Sequence, residues 1–114
     1  MAATFPQRGE VWLVEFPDDP KSRPALIVSP DARNEFANSI LAVPITTNLK
    51  PAPTHVRLPA GQGGLHNESM ARCENVSYIH KSRISRSGFS GVISAALMNE
   101  IELALLRSFG ITLR

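Results

Sequence analysis

The chain has 114 residues and twelve Lys and Arg against ten Asp and Glu, a formal charge of +2 that is too small to mark a polycation by itself. That length suits one domain, 1–114, able to bury roughly two-thirds of its unfolded surface without disulfide staples. The lone cysteine, Cys73, excludes an intramolecular disulfide, and no apolar run approaches the ~20 residues a membrane-spanning helix needs. The amino terminus, MAATFPQRGEVW, lacks the basic segment and apolar run of a secretion signal, so a reducing, cytoplasmic setting is expected.

In chain order, GEVWLVEF has the β-branched and aromatic content of a strand, and Pro17, Asp18, Asp19 and Pro20 stop it abruptly. RPALIVS is a continuous apolar run of strand length and predicts a strand covered on both faces, with Arg23 and Pro24 at its mouth. SILAVPITTN repeats the pattern, although Pro44 cannot donate a ladder hydrogen bond and so marks an edge, a bulge or a strand end. THVRLP is a short alternating strand. AGQGGLHNES reads as a glycine-rich loop, either a mobile connection or a contact for a ligand.

Two more extended stretches, SMARC and NVSYIHK, precede a basic loop containing Lys81, Arg83 and Arg86. That cluster carries most of the basic excess of residues 66–114, and it reads either as a solvated loop or as a phosphate contact. From Ser94 the period changes: Leu97, Ile101, Ala104, Leu105 and Ser108 fall at helical spacing, with Gly110 as the C-terminal cap. Five or six short strands followed by one helix predict a mainly β, antiparallel curled sheet or small barrel with the helix packed on it.

Chemistry-bearing motifs are sparse. There is no Walker loop and no GxGxxG, and His55, His66 and His80 lack zinc-ligand spacing, so neither a metal nor a cofactor is expected. Cys73 reads as a small buried residue, with pairing to a distant histidine as the sharper alternative. Arg23 and the corner formed by Thr46, Thr47 and Asn48 remain. A guanidinium is permanently cationic and forked, which suits phosphate, but before a strand it is more often paired with a carboxylate such as Asp18 or Asp19. Threonine offers a stiffly held hydroxyl, and the same three residues suit a strand exit whose side chains bond local backbone.

Taken together, RGEVWLVEF, SRPALIVSPD, AVPITTN, PTHVRL, ESMARCENVSYIHKSRI and the terminal amphipathic helix resemble the MazF/PemK/Kid family of toxins from toxin–antitoxin modules, from about Arg8 to the end. Each piece is short; their order and spacing carry the specificity. The resemblance implies an SH3-like barrel of the MazF/PemK/CcdB kind, a homodimer, and a metal-independent endoribonuclease on single-stranded RNA that is neutralised by a cognate antitoxin. It implies that Arg23 and Thr46 are catalytic, with Thr47 the ambiguous neighbour. Substrate contact is expected from Thr47, Asn48, Asn75, Lys81 and Arg83. Asn75 stands where the family often has Gln or Asn, and its amide suits either a base edge or local backbone.

The implied reaction is attack of a ribose 2′-hydroxyl on the adjacent phosphate, leaving 2′,3′-cyclic phosphate and 5′-hydroxyl ends. Charge then grows on the non-bridging oxygens, where Arg23 would stabilise it. The sequence selects no general base; His80 and the carboxylates are the candidates. The loop before Arg23, PDDPKS, is shorter than in many relatives and lacks their glycine-rich, Glu-containing stretch. Two other classes remain open at this stage: a gyrase poison of the CcdB type, which does not need Arg23 or Thr46, and a catalytically silent barrel that binds nucleic acid or protein.

Overall fold

The computed structural model describes residues 5–112. Its elements are β1 (Glu10–Glu15), β2 (Ser22–Ile27), α1 (Asp31–Phe36), β3 (Ser39–Thr46), β4 (His55–Leu58), β5 (Ser69–Arg72), β6 (Ser77–His80), β7 (Ile84–Val92) and α2 (Ala95–Ser108). Every strand pairing is antiparallel, in the order β4-β5-β3-β2-β1-β7, with β6 also on β3. The result is the barrel-like, mainly β architecture with a C-terminal helix that the pattern predicts.

The centre of the sheet is covered on both faces. Leu26 and Val28 of the second apolar run, with Val43 and Ile45 of β3, join a core closed by Ile101 and Ala104 of α2. The alternate residues, Ala25, Ile27, Ile40 and Ala42, enter a second core with Val14 and Ile79, flanked by Trp12, Phe16 and Ile84. This is why RPALIV carries no polar alternation: each side of the strand has its own apolar cover.

Pro44 lies inside β3, and the partner strand absorbs its defect. Leu41 sends its carbonyl to the Val28 amide at 3.0 Å and takes the Ser29 hydroxyl oxygen on its own amide at 2.9 Å. By alternation, residue 44 points its nitrogen to the opposite edge, where β5 and β6 lie. There the ladder breaks between Ile45↔Ala71 and Ala42↔Ser77, so residues 72–76 span only Val43 and Pro44. A 3₁₀ turn, Cys73–Asn75, fills the gap. A missing donor thus shapes the wall beside Pro44.

Two elements depart from the sequence reading. The basic loop is only the 3₁₀ turn Lys81–Arg83; the polar stretch after it forms β7, the longest strand, making seven among the described residues. Its composition, ISRSGFSGV, has weak strand propensity, and pairing with β1 decides the outcome. The short α1 was not expected either. The helix was: Ser94 accepts the Leu97 amide at 3.2 Å, and Gly110 at φ 74° returns its amide to Arg107 O while Ile111 bonds Leu106 O.

The glycine-rich loop is seated firmly on β7. A Cβ on Gly64, at φ +72°, would lie 2.0 Å from Ser90 O, and one on Gly91 would lie 2.6 Å from Gly63 C. Backbone touches backbone there, which only glycine permits.

Candidate active site

Arg23 is the second residue of β2, opposite Val14 of β1 and on the face of Ala25 and Ile27. The core cover ends before it, so its side chain emerges 54% exposed. On the other side of β2 the last paired rung toward the site is Ala25↔Pro44. Beyond that rung β3 pairs with β5 through Ile45 and Thr46, which leaves Arg23 and Thr46 each two residues past the last β2–β3 pair. Both line a cleft of about 640 Å³ together with Phe16, Asp18, Asp19, Thr47, Arg72 and Asn75.

The guanidinium is oriented by a carboxylate. Arg23 Nε donates to Asp19 Oδ2 at 2.7 Å, while Asp19 Oδ1 accepts the Lys21 amide at 2.9 Å. The Lys21 amide first, and the Arg23 side chain second, hold the Asp19 carboxyl below the usual carboxylate range. The clasp uses only Nε, which leaves both terminal nitrogens of the fork for an anion.

On β3, Thr46 Oγ1 accepts the Asn48 amide at 3.1 Å, and Asn48 Oδ1 accepts the Lys50 amide at 3.2 Å. Each side chain thus turns the chain at the strand exit. The Thr46 hydroxyl keeps its hydrogen to donate. Thr47 reaches the cleft, and Asn48 lies one residue beyond its lining.

The facing wall comes from the turn opposite Pro44. It brings Asn75 to the cleft, together with Arg72, a second guanidinium that sequence reasoning overlooked. Arg72 is the exposed end of a strand whose other three residues are buried, and nothing in SMARC says what it faces. Between them Cys73 is fully buried, and burial, then the charge of Glu74, pushes its thiol up to about 12. A thiol so protonated is no nucleophile near neutrality.

Lys81 and Arg83 do not reach this cleft. Lys81 Nζ donates to Glu35 O at 3.2 Å, beside a separate cavity of about 350 Å³ lined by Phe5, Trp12 and Arg86. Arg83 Nη1 lies 3.7 Å from Glu15 Oε2. His80 accepts the Ser82 amide on Nδ1 at 3.1 Å and is also outside the cleft lining, so the titratable acceptors there are Asp18 and Asp19.

A family model described as PemK-like, MazF-like toxin of type II toxin–antitoxin system matches residues 7–109. Endoribonuclease MazF1 of Mycobacterium bovis is 28% identical over 106 residues, covering 93% of this chain and 94% of that protein. Among solved structures, an endoribonuclease in complex with its cognate antitoxin from a mycobacterial species superposes with a TM-score of 0.84 at 28% identity, over 96% of this chain and 99% of that one. MazF of Deinococcus radiodurans, solved with MazE, gives a TM-score of 0.80 at 25% identity, over 96% and 100%.

Proposed function

The chain belongs to the PemK-like, MazF-like toxins of type II toxin–antitoxin systems, and from that premise we propose that it is a metal-independent endoribonuclease cutting single-stranded RNA. The observation that carries the reading is that Arg23 of β2 and Thr46 of the neighbouring β3 line one cleft. Neither a gyrase poison nor a silent binding barrel has need of that pair.

The 2′-oxygen of the scissile nucleotide bonds to phosphorus, and the bond from phosphorus to the 5′-oxygen breaks. Arg23, turned by Asp19, presents its terminal nitrogens to the non-bridging oxygens as their charge grows. Its role is electrostatic, because a guanidinium does not surrender a proton near neutrality. Thr46 donates its hydroxyl hydrogen to a phosphate oxygen and fixes the in-line geometry. Asp19 is committed to Arg23 and the Lys21 amide, so Asp18 accepts the 2′ proton, and water protonates the departing 5′-oxygen.

Thr47, Asn48 and Asn75 contact the nucleotides flanking the cut, and Arg72 takes an adjacent phosphate. Lys81 and Arg83 meet only the phosphates of a longer strand. The molecule is a single domain, works in the cytoplasm as a homodimer, and is silenced by a cognate antitoxin. In support of the last point, one similar structure is an endoribonuclease in complex with its cognate antitoxin, and another is a MazE-MazF structure.

The test is incubation of the wild type and Arg23→Ala with a long unstructured RNA in excess chelator, followed by mapping of fragment ends. Specific cuts with cyclic-phosphate and 5′-hydroxyl termini, absent with the variant, are expected. A 2′-deoxy substitution at the cut nucleotide should block cleavage, since the nucleophile is gone. No cuts from a folded wild type across varied RNAs would overturn the reading.

A further inference from the structure

His55, the first residue of β4, faces two acceptors. Its Nδ1 lies 2.8 Å from Lys50 O and its Nε2 lies 2.9 Å from Glu74 Oε2. A neutral imidazole has one hydrogen and satisfies one of them; the imidazolium satisfies both. The side chain is only 9% exposed, so water does not readily replace either partner. The other Glu74 oxygen accepts the Thr54 hydroxyl at 2.9 Å, and Thr54 O accepts the Cys73 amide at 3.0 Å.

These bonds complete a continuous path between the two walls of the cleft. It runs from Thr46 Oγ1 to the Asn48 amide, from Asn48 Oδ1 to the Lys50 amide, and from Lys50 O through the His55 ring to Glu74. Glu74 sits in the 3₁₀ turn between Cys73 and Asn75. One wall carries Thr46 and Thr47, the other Arg72 and Asn75.

We propose that His55, in its imidazolium form, is a positioning residue that clasps the loop after Thr46 to the turn bearing Asn75 and so sets the width of the cleft. The proposal rests on the ribonuclease reading, because RNA cleavage is what that width serves. A phosphate must meet Arg23 and Thr46 while the neighbouring nucleotide lies on the far wall, and a displacement of about 1 Å costs up to ~10²-fold in rate.

Of the charged residues on the elements around the ring, three are cations, which oppose an imidazolium, and one is an anion, which favours it. β5 sets Arg72 opposite His55, the loop supplies Lys50, and α2 brings Arg107, which donates to Pro53 O at 3.4 Å. Glu74 is the anion among these groups and the one in direct contact. Burial works to raise its carboxyl, but hydrogen bonds from His55, its own backbone and Thr54 outweigh this and hold it below the usual range. The ring therefore faces an ionised partner. Losing a proton from His55 leaves one hydrogen for two acceptors and opens the path at one end.

Ring-nitrogen NMR of His55 and single-turnover cleavage of an unstructured RNA in chelator, both followed across neutral pH, test the clasp. Wild-type kcat/KM should fall about tenfold as the ring passes from two protonated nitrogens to one. His55→Ala should be about tenfold slower at the acid end and show no such fall. In Glu74→Gln the introduced amide donates to a neutral Nε2 while its oxygen still accepts from Thr54, so cleavage persists and the alkaline decline disappears. A folded Glu74→Gln that cuts at no pH would overturn the proposal by making Glu74 a proton acceptor in the chemistry. A ring with a single proton where cleavage is fastest would overturn it too. If the wild type cuts no RNA, the ribonuclease reading is what fails, and the ring spectrum still decides whether the clasp forms. Should His55→Ala not fold, Glu74→Gln and the spectrum carry the test.

Discussion

Arg23 reaches back four residues to Asp19, its Nε donating to Oδ2 at 2.7 Å, and the same carboxylate is anchored by the Lys21 amide. A loop of Pro and Asp residues thereby aims a guanidinium that the sheet leaves exposed. The fork geometry, beyond the charge, should matter: Arg23→Lys keeps the cation and loses the planar fork. Cleavage should drop about 10²-fold in Arg23→Lys and at least as far in Arg23→Ala. Both should unfold at the wild-type temperature, because the side chain is half exposed and packs into neither core. Equal cleavage by wild type and Arg23→Lys would show that charge alone suffices.

The depressed Asp19 carboxyl predicts an acid limit for the clasp. The group binds its proton less readily folded than unfolded, so the interaction is complete above the ordinary aspartate range and is lost as pH falls through the lowered value. Carboxyl-carbon NMR should place the Asp19 midpoint below that of a free aspartate. In Arg23→Ala the midpoint should move up, though not fully, because the Lys21 amide is the larger cause. An unchanged midpoint would show the pair to be absent in solution.

Thr46 offers a hydroxyl for chemistry and an acceptor for its own strand exit. Thr46→Val removes both while keeping the shape. Cleavage should fall about 10- to 100-fold, and stability by about 1 kcal/mol for the lost hydrogen bond. Thr46→Ser should restore most of the rate. If the serine variant is as slow as the valine variant, the hydroxyl has no part in the reaction.

Gly64 tests the fold without touching the cleft. Gly64→Ala sets a methyl group 2.0 Å from Ser90 O at φ +72°, so the turn must leave β7 or distort it. A loss of about 2 kcal/mol or more is expected in denaturant unfolding. By contrast Gly61, with nothing within 4 Å of its Cβ position, should tolerate alanine with only the cost of its positive φ.

Cys73 should behave as packing. Its buried thiol, pushed up to about 12, should resist alkylation at pH 8 in the native state and react on unfolding. Cys73→Ala should retain cleavage while losing about 1 kcal/mol of stability for the vacated volume. A folded alanine variant without activity would reopen a nucleophilic role.

Local pattern alone decided a good deal. The doubly covered strand was legible because apolar residues on both faces leave no alternation to misread. The terminal helix was legible because its period, Ser94 and Gly110 agree. Arg23 stood out as a cation at the mouth of a buried run, Thr46 as a hydroxyl where another run ends. The order of these pieces was enough to suggest the family. Each of these signals is confined to one short stretch of chain, where burial and the end of a strand or helix leave their mark.

Contacts between distant segments were decided only by the tertiary structure. β7 forms from a sequence of low strand propensity because β1 supplies its partner. Lys81, Arg83 and Arg86 look like one basic cluster in the chain, yet Arg83 turns to Glu15 and Lys81 to Glu35, and the cleft takes Arg72 instead. The union of His55 with Glu74 spans nineteen positions and depends on the register of β4 on β5. A side-chain period of two tells which way a residue points, but the residue it meets there is set by strand register and by the turn that fills the break in pairing opposite Pro44.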